Sequence, residues 1–392
     1  MRLSRTDRSV LARWWFSVDR SLLAAVLLLI LAGAVLSLAA GPAVALKRGL
    51  PQYFFVERHA VFALLATGLL LLVSQFDPRA IRRLALGLFV VSLALMAVAI
   101  RFGPEINGAH RWVHVAGYSL QPSEFAKPGF VVLSAWLLSE GQRQRDIPAT
   151  AVACALLAAM VGLLALQPDI GQALLVSSVW IAMLYVAGQR LRWVLAMFGV
   201  AAVGLAGAYV FLGHVRGRID RFLSPGSGDT YQTERARQSF MEGGLFGRGP
   251  GEGTIKSQLP DSHTDFVFAV IAEEYGIIVC LGVLLLFAFV VYRALRHALN
   301  EGQAFVSLAT TGLALVFGLQ ALINMAVNVG LLPAKGMTLP FISYGGSSLL
   351  SLGMTLGMLI ALTRRRPEAI RPKMPKFMGT LANIQPTGGA RK

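Results

Sequence analysis

An all-α, polytopic membrane protein with about ten transmembrane helices is the fold class this sequence predicts, and three observations predict it. The chain of 392 residues is 55% hydrophobic and only 14% charged, with a mean hydropathy of +0.63, far too apolar for an ordinary soluble domain. Its apolar residues fall in continuous runs rather than the alternating pattern of a membrane barrel strand, so closed β-barrels are excluded. Ten of those runs are long enough, or nearly so, to cross a hydrocarbon core that takes about 20 residues of helix.

The chain opens on a basic segment, residues 1–20, with Arg2, Arg5, Arg8, Arg13 and Arg20. The first run, about 21–40, is long enough to span. No clear cleavage site precedes the many spans that follow, so it reads as a retained helix rather than a removed leader. Further spans are predicted at about 60–75, 84–100, 125–139, 150–166, 170–187, 193–212, 275–295, 304–329 and 346–363. The 150–187 region can be parsed in more than one way, which leaves the count good to about one. Between the seventh and eighth spans lies a loop from about 213 to 274, and long loops in compact chains are usually functional. Its Gly243-Gly-Leu-Phe-Gly-Arg-Gly-Pro-Gly-Glu-Gly stretch allows tight turns and close approach to a ligand, while a solvated linker is the plainer reading. Residues 21–366 thus form the transmembrane domain. The stretch 367–392, with prolines, basic residues and a Gly-rich end, reads as a disordered tail.

Lysine and arginine resist translocation, so their distribution over alternate loops sets the orientation. One side holds 22 of the 36, and half of the other 14 lie in the single long loop, which the rule discounts. Both termini are therefore expected in the cytoplasm and the 213–274 loop outside an inner membrane. The formal charge of +16 raises nucleic acid as a partner, but the arginines sit in short clusters between apolar runs, as loop anchors do, so none is expected. Cys154 and Cys280 both fall inside apolar runs and act as small hydrophobes.

Four patches carry ionisable or backbone-breaking residues where the bilayer makes them costly. The first is Leu259-Pro-Asp-Ser-His-Thr-Asp-Phe-Val-Phe-Ala-Val-Ile-Ala-Glu-Glu-Tyr-Gly. There Asp265 stands at the entry to apolar sequence, where partial desolvation suits a general base. A helix N-cap is the competing role. His263 is a hydrogen-bond partner rather than a metal ligand, because no second His or Cys lies at ligand spacing. Glu273 and Glu274 are adjacent, so at most one faces a cavity. The second patch runs from Asn107-Gly-Ala-His-Arg-Trp to Leu120-Gln-Pro-Ser-Glu-Phe-Ala-Lys, with Ser123 as the expected helix cap. Glu124 and Lys127, three apart, share a helix face as an ion pair. Alternatively, Lys127 and Arg111 bind an anionic headgroup such as a pyrophosphate.

The third patch is Gln167-Pro-Asp-Ile-Gly-Gln, where Asp169 is a turn former first and a ligand second. The fourth places Asn324 and Asn328 on one helix face before Leu332-Pro-Ala-Lys-Gly-Met-Thr-Leu-Pro-Phe-Ile-Ser-Tyr-Gly-Gly-Ser-Ser, which contains Lys335 and Ser343. Such a run reads as broken or re-entrant backbone, tolerated only against protein or water.

In this order and on this topology, the patches resemble the SEDS family of cell-wall proteins (shape, elongation, division and sporulation). The fragments QPSE-x-A-K, QPD-x-G, HTDF-x-F-A and LPFISYGGSS are jointly very specific, and the match covers essentially every span. Lys335 within PAKGMTLPFISYGGSS is more similar to the FtsW branch, which acts in division, than to the RodA branch, which acts in elongation. The resemblance implies an inverting peptidoglycan glycosyltransferase that polymerises lipid II at the outer face of the inner membrane, at the division septum. It maps the family's essential aspartate onto Asp265 and its conserved glutamate and lysine onto Glu124 and Lys127.

Lys127, Arg111 or Arg248 would stabilise the leaving pyrophosphate, and His263, Asp169, Lys335 and Ser343 would line the substrate cavity. A divalent cation, Mg or Mn, is a family expectation for which the sequence holds no dedicated cage. Implied partners are a class B penicillin-binding protein, the division transpeptidase, and other division-site proteins. Departures from the family pattern are small: Asp261 where Glu is commoner, Ala272 and Tyr275 in the Glu-Glu motif, and His110 where Arg is frequent. Rival functions are a lipid II flippase or transporter, a noncatalytic division scaffold, and the elongation-type polymerase. The lack of an internal repeat of fixed period weakens the transporter.

Overall fold

The structure is a computed structural model that describes residues 9–365 apart from 107, 116, 144–147, 224–230 and 334–335. The expected disordered tail at 367–392 lies outside the described residues.

Helix α1 (Val10–Ser17) is short and amphipathic. Ser9 caps it by accepting the Ala12 amide, Trp14 donates its indole N–H to Ser74 Oγ at 2.9 Å, and Leu11, Trp15 and Phe16 are exposed. Asp19 caps α2 (Arg20–Lys47) by accepting the Ser21 and Leu22 amides. The helix runs through Pro42 and so extends past the predicted end of the first run at 40. Helix α3 (Phe54–Val73) returns, and α4 (Pro78–Phe102) starts with Asp77 as cap and proline in its first turn, where the missing N–H costs nothing. A hairpin of β1 (Val113–Val115) and β2 (Tyr118–Leu120) leads into α5 (Pro122–Arg143).

Then follow α6 (Ala149–Leu166), α7 (Ile170–Val186) and α8 (Leu191–Phe211). Beyond them lie α9 (Gly213–Leu223), α10 (Tyr231–Gly243) and a 3-10 turn at Ile255–Ser257. The chain continues with α11 (Val267–Asn300), α12 (Ala304–Asn328) and α13 (Gly346–Leu362). Helices α5, α12 and α13 form the centre: α12 packs on α5, α7, α11 and α13, and α13 on α3. Helix α8 packs chiefly on α7 and α9 and turns nearly all its side chains outward.

The protein is a multi-pass membrane protein, and every predicted span is helical. Among the described residues seven helices (α2, α3, α4, α6, α8, α11 and α12) are long and apolar enough to cross a membrane, while α7 and α13 are apolar but shorter. Helix α13 is buried along almost its whole length, so its neighbours rather than its own side chains meet lipid. Helix α5 is too polar by composition because it carries Glu124 and Lys127, both buried.

One expectation needs correction. The eighth span starts earlier than the predicted 275, because α11 begins at Val267, and the described residues of the segment before it hold α9, α10 and the 3-10 turn. Glu273 and Glu274 mimic a membrane boundary in the sequence, yet both are buried. The change of course comes at Gly276, at φ +80° and ψ 174°, conformations open to glycine, which divides α11 into a short arm and a long span.

Candidate active site

The site is built at the end of the bundle where α5 begins and α12 ends. A cavity of about 750 Å³ lies there, with Arg111, Glu124, Gln172, Arg237, Asp265 and Thr338 in its walls.

The main chain of Asp265 is fixed from several sides. Asp261, at φ +53°, accepts the amides of Thr264 and Asp265 at 3.0 and 3.1 Å. From α12, Asn324 Nδ2 and Asn328 Nδ2 each donate to the Asp265 carbonyl at 2.9 Å, and Asn328 Oδ1 accepts the Ala269 amide at 3.0 Å. From the 339–344 segment, Ser343 Oγ donates to the Thr264 carbonyl while accepting the Leu339 amide at 2.7 Å, and the Tyr344 amide donates to the His263 carbonyl at 2.9 Å. Gly336 faces the carboxylate itself: a methyl group there would lie 3.5 Å from Asp265 Oδ2. The N-cap alternative does not describe Asp265, since Phe266 occupies the cap of α11 with no side-chain cap bond.

The opposite wall rests on a buried charge network. Lys127 Nζ donates to both Glu124 oxygens at 3.0 Å and to Gln320 Oε1 at 2.7 Å, using all three of its protons. Gln172 Nε2 donates to Glu124 Oε1 at 2.8 Å. Gln320 Nε2 in turn donates to the Thr338 carbonyl at 3.2 Å, and the Thr338 hydroxyl bonds Ser348 Oγ at 2.9 Å. Glu124 reaches the cavity wall; Lys127 sits behind it, 2% exposed. Arg111 donates through Nε to the Gln167 carbonyl at 3.1 Å and through Nη2 to the Pro168 carbonyl, with Nη1 3.7 Å from Asp169 Oδ2. Asp169 is buried and caps α7 through the Gln172 amide; burial pushes its carboxyl up, and the Arg111 charge opposes that.

Three expected site residues stand elsewhere. His263 lies under the site, its ring 4.7 Å from that of Phe55 and stacked on Tyr344, with burial first and the Arg48 charge second lowering its pKa to about 4. Ser343 is a buried clamp on the backbone rather than a cavity group. Arg248 pairs with Glu242 and donates to Thr254 Oγ1 at 2.9 Å, away from the cavity walls. Lys335 lies outside the described residues. Neither Glu273 nor Glu274 faces the cavity. Glu273 accepts the Ile255 and Lys256 amides at 2.7 and 3.0 Å, and Glu274 pairs with Lys256. Helix α5 starts at Pro122, and Ser123 Oγ accepts from Gln121 Nε2 instead of capping.

Arg237 is a cationic cavity residue the sequence reading missed. It is exposed in the wall formed by α10, and its signal was the amphipathic pattern of 231–243, hidden inside a segment read as a loop. Among the described residues no three His, Cys, Asp or Glu side chains gather into a metal cage.

The Cell cycle protein family model shared by FtsW, RodA and SpoVE matches residues 19–368. The chain belongs to this family. It is the SEDS family that the motifs resemble, and its FtsW members are well represented among the relatives. The probable peptidoglycan glycosyltransferase FtsW of Caulobacter vibrioides is 46% identical over 93% of this chain and 94% of its own length. The corresponding FtsW of Halomonas elongata is 38% identical over 95% and 97%. A SEDS chain from a peptidoglycan synthase complex that coordinates polymerization and crosslinking superposes with a TM-score of 0.74 at 29% identity, covering 89% of this chain and 98% of that one. The rod shape determining protein RodA of Thermus thermophilus superposes with a TM-score of 0.65 at 30% identity over 89% and 97%.

Proposed function

We propose that this chain is a peptidoglycan glycosyltransferase that polymerises lipid II with inversion, using Asp265 as general base. The observation that carries the reading is the seating of Asp265, whose carboxylate faces a cavity large enough for sugar units while Asn324 and Asn328 hold its main chain still. Positioning of this kind supplies much of the rate when two bound substrates must meet.

In this reading the carboxylate takes the proton of the GlcNAc 4-hydroxyl of an acceptor lipid II. The freed oxygen lone pair attacks the anomeric carbon of the donor chain's terminal MurNAc as the bond to undecaprenyl pyrophosphate breaks. The α-linked donor thereby gives a β-1,4 bond, and the pyrophosphate carries off the electron pair. Arg237, which lines the cavity, is better placed to meet the phosphates than Arg111, whose guanidinium is committed to two carbonyls and Asp169. Lys127 is a positioning residue that holds Glu124 at the wall.

The FtsW relatives favour a septal role, and the synthase-complex relative favours a class B penicillin-binding protein as partner. Both termini in the cytoplasm, the site outside, and further division proteins as partners complete the proposal.

The test is polymerisation of labelled lipid II by purified wild type and Asp265→Asn, each alone and with the cognate transpeptidase, beside a lipid II binding assay. Wild type should make glycan, and the variant should bind lipid II yet make none. Equal polymerisation by both would remove Asp265 as base. Binding without polymerisation by wild type, even with its partner, would turn the reading toward transport.

A further inference from the structure

At the end of the bundle opposite the cavity, the start of α2, the end of α11 and the end of α13 enclose a second hollow. It measures about 400 Å³ and is lined by Phe16, Asp19, Arg20, Arg293, His297 and Arg365. A side pocket of about 210 Å³ shares Asp19, Arg293 and Arg365 with it and adds Arg296. Four arginines therefore face one carboxylate, and no other Asp or Glu lines either hollow among the described residues. Arg293 Nε is already spent on Asp19 Oδ2 at 2.8 Å. Arg20, Arg296 and Arg365 are exposed and leave the hollow with an excess of positive charge.

The hollow is also tied in place. The Arg365 amide donates to the Ser17 carbonyl at 2.9 Å, Arg364 Nε donates to Ser17 Oγ at 2.9 Å, and His297 bonds the Thr363 carbonyl. The end of α1 and the end of α13 are thus fastened to each other, and α11 to α13, around the opening. On one rim α1 exposes Leu11, Trp15 and Phe16, with the Arg20 guanidinium 5.0 Å from the Trp15 ring. On α11, Tyr292 and Leu299, four residues before and three after Arg296 and so on the same helix face, are exposed. An aromatic, apolar rim around a cationic hollow is suited to a ligand with a phosphate head and hydrocarbon chains. A short amphipathic helix with tryptophans is the element that lies in a bilayer interface.

We infer that this hollow is a binding site for the phosphodiester headgroup of an anionic phospholipid, held by Arg20, Arg296 and Arg365 with its acyl chains along α1 and α11. Arginine forks match phosphate oxygens in pairs, and basic pockets at the ends of transmembrane helices hold such headgroups. The site is distinct from the proposed active site and does not depend on its chemistry.

The experiment is native mass spectrometry of the full-length protein released from nanodiscs of phosphatidylethanolamine and phosphatidylglycerol, counting the phosphatidylglycerol that stays bound. Wild type should retain it, and Arg296→Gln/Arg365→Gln should bind it about thirtyfold more weakly, the effect of two near-surface charges. Arg79→Gln/Arg83→Gln, which removes the same charge from exposed positions on α4 at the same end of the bundle, should retain it as wild type does. Equal loss in both double variants would overturn the site in favour of diffuse surface attraction. Equal retention in all three would overturn it outright. Thermal shifts supply a second readout: stabilisation of detergent-solubilised wild type by phosphatidylglycerol but not by inorganic phosphate supports a lipid site. An equal shift with inorganic phosphate would reduce it to an anion site and overturn the lipid assignment.

Discussion

Gln320 Oε1 accepts a hydrogen bond from Lys127 Nζ at 2.7 Å, joining α12 to α5 across the centre of the bundle. The bond completes the coordination of an ammonium that is otherwise held by the two oxygens of Glu124. A buried pair of this kind is costly to break by halves, because the remaining charge has no water to fall back on. Lys127→Met should therefore lose about 3 kcal/mol of stability, seen as a lower melting temperature in detergent. Glu124→Gln/Lys127→Met should recover much of that loss without recovering polymerisation. Gln320→Leu should fall between.

Asn328 should matter for rate more than for substrate affinity. Its carboxamide joins the Asp265 carbonyl to the Ala269 amide, so Asn328→Ala releases the backbone that carries the proposed base. Displacement near 1 Å costs about a hundredfold in turnover. Steady-state kinetics with lipid II should show kcat down by one to two decades, about ten- to a hundredfold, with KM little changed.

Arg237→Ala should show the reverse pattern. A cavity cation that meets the phosphates of both bound substrate and leaving group contributes to uniform binding, so KM rises and kcat changes less. Arg237→Lys should restore only part of the affinity, because an ammonium cannot form the paired bonds of a guanidinium.

His263 gives a pH prediction with a definite sign. Its folded pKa is near 4 against 6.5 for the free side chain, so between those values the unfolded chain binds the extra proton. Stability is then full above pH 6.5 and declines as pH falls toward 4, by up to about 3 kcal/mol for this group. Melting temperatures across pH 4 to 7 should show a shallower slope in His263→Phe than in wild type.

Gly276→Ala tests the break in α11. A methyl group there would collide with the Leu245 carbonyl oxygen and lie 2.5 Å from the Gly247 amide nitrogen, on a backbone at φ +80°. The cost should exceed about 2 kcal/mol, and limited proteolysis should find the 244–257 segment opened.

Much of this organisation was legible in the sequence because it is local. Continuous apolar runs marked the spans, the three-residue spacing put Glu124 beside Lys127, and the four-residue spacing put Asn324 beside Asn328. What stayed hidden depends on partners far along the chain. Nothing near Arg111 announces that Gln167, Pro168 and Asp169 will occupy it, and nothing near Ser343 announces the Thr264 carbonyl. Arg248 looked available because Glu242, its partner, lay in a segment with no assigned structure. The polar surfaces of α9 and α10 gave no hydropathy signal, so both were read as loop.

The two arms of α11 answer to different parts of the molecule. Its short arm, from Val267 to Gly276, is gripped at one end by Asn328 and near the other by Glu273, which holds the amides of Ile255 and Lys256. From Val267 to Glu273 is about 9 Å along the helix axis, a stiff rod that begins two residues after Asp265 and ends at a glycine. A load applied to the 244–257 segment would thus reach Asp265 down that rod, and the start of the long span through the Ile277 and Ile278 amides, which donate to the Gly244 and Leu245 carbonyls.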